Sequence, residues 1–291
     1  MRAVFQWSLG QRTLELGKRT LIMGIVNVTP DSFSDGGRYL DPGEAITHAL
    51  QLLDEGADLV DVGGESTRPG AKPTVSAEEE LRRVLPVITE LKKQRPTTVI
   101  SVDTYKASVA RAAVSAGAEI VNDVSGFRWD SRMAAAIAEM KCGAVLMHTR
   151  GRPEEWRTLP PPGDVVLLVK RELREWAEAA VLAGVRRERI ALDPGFGFGK
   201  IHEQNYPLLA RFQELQSLGL PLLAGTSRKS FLGRTLAQTK DGNDAAPADR
   251  LYGNLAAHTA LILKGAHILR THDVKAAVDA ARVADAILAA R

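Results

Sequence analysis

What most constrains this chain is a punctuation that recurs along it. Gly56-Ala57, Gly117-Ala118, Gly143-Ala144, Gly184-Val185 and Gly265-Ala266 each follow an amphipathic run and lead into a short apolar one. Glycine takes the left-handed conformation that ends a helix without a Cβ penalty, so each pair reads as a helix stop followed by a strand. The strands fall at residues 20–26, 59–62, 97–102, 119–121, 144–147, 189–192, 221–224 and 266–269. Most are apolar at consecutive positions, as parallel strands covered by helices require. Between them apolar residues recur at helical spacing, as in Ala45, Ile46, Ala49, Leu50 and Leu53. Ser76 to Glu79 predicts a capping box, and Asp164 and Asp273 stand where helix N-caps belong.

Eight strands alternating with helices predict an α/β fold, the (β/α)8 TIM barrel, and 291 residues suit it. No Pro- or Ser-rich linker divides the chain, so one domain is expected over 1–291, with the barrel at 19–291. Residues 1–18 place Gly10-Gln11 between two β-like runs and predict an N-terminal hairpin closing the bottom of the barrel.

The charge balance excludes some functions. There are 38 Lys and Arg against 35 Asp and Glu, a net charge of +3 with no basic stripe interleaved with aromatics, so no nucleic-acid partner is expected. The lone cysteine, Cys142, leaves no disulfide framework and precedes an apolar run, which predicts a buried, inert thiol. The first residues lack the apolar segment of a signal peptide, and no run reaches membrane-spanning length. The expectation is a cytoplasmic protein without membrane contact.

In such a barrel, the residues past each strand's C-terminal end face the active site. Here they are Asn27, the Gly63-Gly64-Glu65-Ser66 turn, Asp103, Asn122, Met147, Asp193, Lys229-Ser230 and Arg270-Thr271-His272. Any one of them could be a cap or a satisfied loop group. A fold needs one cap per helix, however, and not a convergent ring of Asp, Asn, Asp, Lys, Arg and His. Two carboxylates and an amide suit a heterocycle with adjacent N–H donors, and a guanidinium can stack on a flat ring. His272 and the start of the last helix suit a phosphate. Two loops, 27–37 and 63–74, mix Gly, Pro and charge in the manner of ordered lids. Phe198 reads as a stacking wall and Phe196 as packing.

These residues resemble a known family, the dihydropteroate synthases of folate biosynthesis. The resemblance rests on residues 22–39 (IMGIVNVTPDSFSDGGRY), 61–71 (DVGGESTRPGA), 101–104 (SVDT), 120–126 (IVNDVSG), 192–200 (LDPGFGFGK), 226–230 (TSRKS) and 269–274 (LRTHDV), in the family's order over nearly the whole chain. It implies a transferase that joins 6-hydroxymethyl-7,8-dihydropterin pyrophosphate to p-aminobenzoate, giving dihydropteroate and pyrophosphate by an SN1-like path. It implies that Asp103, Asn122, Met147, Asp193 and Lys229 bind the pterin and that Arg270 stacks on it. Arg270 and His272 would hold the pyrophosphate, with the first loop, and Asn27 would be the protein's ligand to Mg²⁺. Asp35 would stabilise the developing cation, and Asp35, Lys229, Arg270 and His272 would form the catalytic set. Ser230 would receive the p-aminobenzoate carboxylate, with Phe33, Pro69 and Phe198 as walls and Thr67 and Arg68 on the second loop. A homodimer is also expected, through the Ala- and Leu-rich helices at 251–263 and 274–290. The nearest alternative is a methyltetrahydrofolate-binding methyltransferase barrel, or a non-catalytic pterin-binding paralogue. The intact Ser227-Arg228-Lys229-Ser230 and Thr271-His272 stand against the first, and the completeness of both loops stands against the second.

Overall fold

The computed structural model describes residues 2–29, 42–66, 75–156, 158–237 and 243–290. The chain begins with an antiparallel pair, β1 (Phe5–Ser8) and β2 (Thr13–Leu16). There follow β3 (Leu21–Asn27), α1 (Pro42–Asp54), β4 (Leu59–Gly63), α2 (Ala77–Gln94), β5 (Val99–Asp103), α3 (Ala107–Ser115), β6 (Ile120–Asp123) and α4 (Met133–Met140). The second half contains β7 (Gly143–Met147), α5 (Val165–Leu182), β8 (Ile190–Asp193), α6 (His202–Ala210), β9 (Leu223–Ala224), α7 (Ser230–Thr235), α8 (Leu251–Leu263), β10 (Ile268–Thr271) and α9 (Val274–Ala289). Strands β3 to β10 pair in the order β8-β7-β6-β5-β4-β3-β10-β9, every pair parallel. A parallel bridge from Leu192 to Leu222, with Leu192 N donating to Pro221 O at 2.9 Å, brings the two ends together as the expected barrel. Among the described residues no helix is long and apolar enough to cross a membrane.

The period of two along each strand explains both the core and the site. Outward positions such as Ile22, Val60, Val62, Ile100, Val102, Val121, Leu146 and Leu192 are apolar throughout and pack under the helices. Inward positions change character along the strand. Leu21, Met23, Leu59, Val99, Ile120, Val145, Ala191 and Ile268 form a second apolar cluster at the N-terminal end of the barrel. Two or four residues on, the same faces carry Asp61, Ser101, Asp103, Asn122, Asp193 and Arg270.

The hairpin seals the apolar end, as expected. Trp7, Leu9 and Leu16 join the lower cluster, and Trp7 Nε1 donates to Arg189 O at 2.8 Å. Gly143 belongs to this contact rather than to a helix stop. It opens β7, and a Cβ there would meet Leu9 Cδ2 at 2.4 Å. The left-handed residue ending α4 is Lys141, at φ 59°. At Gly56, Gly117, Gly184 and Gly265 the expected positive φ is found. Cys142 is buried, and burial pushes its thiol up to about 12.

Two caps differ from expectation. Ser76 accepts from Glu79 N at 3.2 Å, but the Glu79 carboxylate pairs with Arg82 and Arg83, so half of the capping box forms. Asp164 caps α5 through Val166 N and Leu167 N. Asp273 occupies the N-cap position of α9 without a side-chain cap bond, because its carboxylate pairs with Arg228 at 2.7 Å.

Candidate active site

The polar ends of the inward faces meet in one network at the C-terminal mouth of the barrel. Its centre is Asp61, fully buried on β4. Asp61 Oδ2 accepts from Arg270 Nε at 2.6 Å and from Asn122 Nδ2 at 2.8 Å. Arg270, on β10, also donates to Asp103 Oδ2 at 2.7 Å. The guanidinium thus lies across the mouth between β4 and β5. Burial alone would lower its pKa, but Asp61 and Asp103 outweigh burial and raise it. For Asp103 the balance goes the other way. Burial pushes its carboxyl up to about 7 against the pull of Arg270, and the like charge of Asp61 adds to the rise. Three buried oxygens on this floor, Asp61 Oδ1, Ser101 Oγ and Asn122 Oδ1, make no hydrogen bond. A buried acceptor left without a donor costs about 1–3 kcal/mol, so a ligand with N–H groups would recover stabilisation there.

Asp193 closes the floor from β8. Its Oδ1 accepts from Gly195 N at 2.7 Å, and burial pushes the carboxyl up to about 6. Beyond it the Gly-rich turn folds flat onto the exit of β7. A Cβ on Gly195 (φ 65°) would lie 1.9 Å from His148 O, so only glycine fits. Phe196 turns down into the core, stacked with Phe212 and Phe231, which agrees with a packing role. Phe198 stays half-exposed, with Trp156 edge-on at 5.5 Å and the Lys229 ammonium 4.0 Å from its ring centre. Met147 ends β7 beside Asp193, buried. His148, next along, points away from the mouth. It stacks on Trp176 with Nε2 3.0 Å from Glu172, and burial pushes its imidazole down to about 3.

The exits of β9 and β10 are joined. His272 Nδ1 lies 2.9 Å from Ser227 Oγ, which also accepts from His272 N at 3.1 Å. Thr226 Oγ1 donates to Asn254 Oδ1 at 3.0 Å. Arg228 sits at φ 56°, held by Asp273 and by Arg250 Nη1, which donates to its carbonyl at 2.7 Å. With the Asp273 carboxylate drawn to Arg228, it does not cap the first N–H groups of α9, and these face an exit carrying His272 and Ser227. Ser230 is exposed at the start of α7.

The structure therefore brings Asp103, Asn122, Met147, Asp193, Phe198, Lys229, Arg270 and His272 to one mouth, with Asn27 ending β3 at the same level. Phe33, Asp35, Thr67, Arg68 and Pro69 lie outside the described residues. Sequence reasoning missed Asp61, although the signal was present. A carboxylate inside the otherwise apolar run Leu59-Val60-Asp61-Val62 must have a buried partner. Asp123, which ends β6, closes a turn, accepting from Ser125 N and Oγ at 2.7 Å and from Phe127 N at 3.2 Å.

Comparison with known proteins places this geometry. The family described as pterin binding enzyme matches residues 23–272. The dihydropteroate synthase of Synechocystis sp. is 44% identical over 279 residues, covering 96% of this chain and 94% of that protein. The dihydropteroate synthase of Escherichia coli is 46% identical over 270 residues, covering 93% and 92%. The structure of Xanthomonas albilineans dihydropteroate synthase with 4-aminobenzoic acid superposes with a TM-score of 0.89 at 46% identity, covering 99% of each chain. The complex of the Xanthomonas albilineans enzyme with 7,8-dihydropteroate gives a TM-score of 0.82 at 44% identity, covering 94% of this chain and 96% of that one. Fold, mouth and near-complete coverage agree: the chain belongs to the dihydropteroate synthase family of pterin-binding enzymes.

Proposed function

We propose that this protein is a dihydropteroate synthase, forming 7,8-dihydropteroate and pyrophosphate from 6-hydroxymethyl-7,8-dihydropterin pyrophosphate and p-aminobenzoate. The observation that carries the reading is the floor of the mouth. Asp103, Asp193 and the unpartnered Asn122 Oδ1 offer acceptors under a guanidinium lying across the cavity. A pterin has the complementary edge, with ring N–H and amino donors in one plane.

In this reading Asp103, Asn122 and Asp193 accept from the pterin edge, Met147 lines the pocket, and Lys229 donates to the ring. Arg270, aimed by Asp61 and Asp103, covers the ring face and reaches towards the departing pyrophosphate. His272 and the uncapped start of α9 receive its charge. Departure precedes attack, because the pterin nitrogens delocalise positive charge on the exocyclic carbon. Asp35 stabilises that cation, and Phe33, Thr67, Arg68 and Pro69 belong to the loops that exclude water. Phe198 and the stem of Lys229 wall the p-aminobenzoate, whose carboxylate is received at Ser230. An arylamine is weakly basic, so no side chain has to act as a strong base.

No three His, Cys, Asp or Glu converge on a metal position among the described residues. Asn27, half-buried at the end of β3, offers one hard oxygen. Mg²⁺ retains waters and prefers substrate phosphates, so a single protein oxygen fits an ion brought in with the pyrophosphate. When bound, Mg²⁺ would supply neutralisation of the leaving charge, with Asn27 as its protein ligand.

The whole chain acts as one catalytic unit in the cytoplasm, and two copies associate through α8 and α9. Tyr252, Val283 and Ile287 on those helices are exposed, which supports the pairing. The decisive experiment mixes the protein with both substrates and Mg²⁺ and follows dihydropteroate and pyrophosphate in equal amounts. A folded protein without turnover refutes the reading.

A further inference from the structure

Lys200 ends the DPGFGFGK motif, and none of the roles above uses it. It is buried, with 5% of its surface exposed. A buried ammonium is normally matched by a carboxylate. Here all three contacts are neutral carbonyls: Gly195 O at 2.7 Å, Phe198 O at 3.1 Å and His148 O at 3.3 Å. Burial pushes the group down to about 7, as an amine without an ion-pair partner should be.

The three carbonyls belong to two segments with different tasks. Gly195 and Phe198 are in the turn after β8, and His148 follows Met147 at the exit of β7. Gly195 is held on both sides, since its N–H donates to Asp193 Oδ1 and its carbonyl accepts from Lys200. The turn also meets the neighbouring exit closely, because a Cβ on Gly199 (φ 64°) would lie 2.5 Å from Arg150 O. The Phe198 carbonyl receives Lys200, and its ring carries the Lys229 ammonium at 4.0 Å. Moving the turn moves that ring.

We propose that Lys200 is a positioning residue of the second pocket: its buried amino group pins the 195–199 turn to the exit of β7 and so fixes the Phe198 wall and the Lys229 head resting on it. The proposal builds on the assignment of Phe198 to the p-aminobenzoate pocket. It separates Lys200 from a general stabiliser, because the effect must pass through one side chain.

The test is Lys200→Met in the full chain, with steady-state kinetics in both substrates and thermal unfolding alongside. The KM for p-aminobenzoate should rise about tenfold, the scale of one lost hydrogen bond, with kcat changing by less than about threefold. In a Phe198→Ala background the same substitution should add less than about twofold, because the side chain it positions is gone. Lys200→Gln, which keeps two N–H donors, should fall between wild type and Lys200→Met, and it replaces Lys200→Met if that variant does not fold. An unchanged KM, an equal rise in both backgrounds, or loss of folding in both variants would overturn the positioning role. Turnover by the wild type in the same assay separates the two readings. Its absence refutes the synthase assignment, whereas turnover with an unaltered Lys200→Met KM refutes only this inference.

Discussion

The network makes Asp61 the residue that aims Arg270, and removing it should be costly. Both donors converge on a single oxygen, Arg270 Nε at 2.6 Å and Asn122 Nδ2 at 2.8 Å. Hydrogen bonds to a charged partner contribute about 1.5–3 kcal/mol each, and removing one member of a buried ion pair costs about 3–5 kcal/mol in all. Asp61→Ala should lose that much, divided between unfolding and catalysis. Arg270 keeps its bond to Asp103 at 2.7 Å, so the guanidinium is displaced rather than released. A misplacement of about 1 Å in a reacting site lowers rate by about 10²-fold, which is the expected fall in kcat/KM for the pterin pyrophosphate. Asp61→Asn keeps the volume and one acceptor but not the charge. Charge-assisted bonds are about twice as strong as neutral ones, so about half of the free-energy loss, roughly tenfold in kcat/KM, should remain. Asp61→Asn also removes a like charge that raises Asp103, so the Asp103 carboxyl should titrate at lower pH. The assay is dihydropteroate formation at saturating p-aminobenzoate from pH 5.5 to 8, with unfolding monitored in parallel. Asp61→Asn with wild-type kcat/KM, or with an acid limb moved to higher pH, would refute the reasoning.

Three further outcomes are expected. Asp103 and Asp193 titrate at about 7 and about 6 in the free protein, above the ordinary carboxylate range, so the folded state holds extra protons as pH falls through that window. Pterin affinity measured by calorimetry should therefore weaken as pH falls below about 7, by up to tenfold per unit, and more steeply below about 6 where both carboxyls take up protons, while the same groups favour the folded state as pH drops from 7 towards 4; an affinity flat from pH 5.5 to 8 contradicts this. Trp7→Ala should cost about 3–5 kcal/mol of stability and Trp7→Phe about 1 kcal/mol through the lost bond to Arg189 O, with kcat kept, because the hairpin seals the end opposite the mouth. Loss of kcat at an unchanged melting temperature would refute that division. Gly195→Ala combines a positive φ with a Cβ 1.9 Å from His148 O, and should cost about 3 kcal/mol or more by denaturant unfolding.

The barrel was legible because its signals are local. Helix stops, strand length and helical spacing are each decided within a dozen residues, and the hairpin was visible as two β-like runs around Gly10-Gln11. Two of the misreadings share a cause. Gly143 looks like the other helix stops, but a side chain distant in sequence, Leu9, requires it to lack a Cβ. Asp273 has the right type and place for a cap, but a charged-pair bond to Arg228 from the neighbouring exit displaces the weaker cap bond. Both outcomes are set by contacts between elements far apart in sequence.

The site was legible to the same depth. Its members could be named from strand ends, since a barrel turns the end of every strand towards one mouth. Their division of labour could not, because it depends on which side chains the barrel's closure brings together. Arg270 and Asp61 are 209 positions apart and meet only when β10 pairs with β3 and β3 with β4. Closure also decides the electrostatics. Asp103 and Asp193 would be ordinary carboxylates on isolated strands, and it is burial at a shared mouth that moves both towards neutrality. Substituting one member should therefore shift the titration of the others, so the ring is expected to show non-additive double-mutant energies wherever two of its charges share a partner.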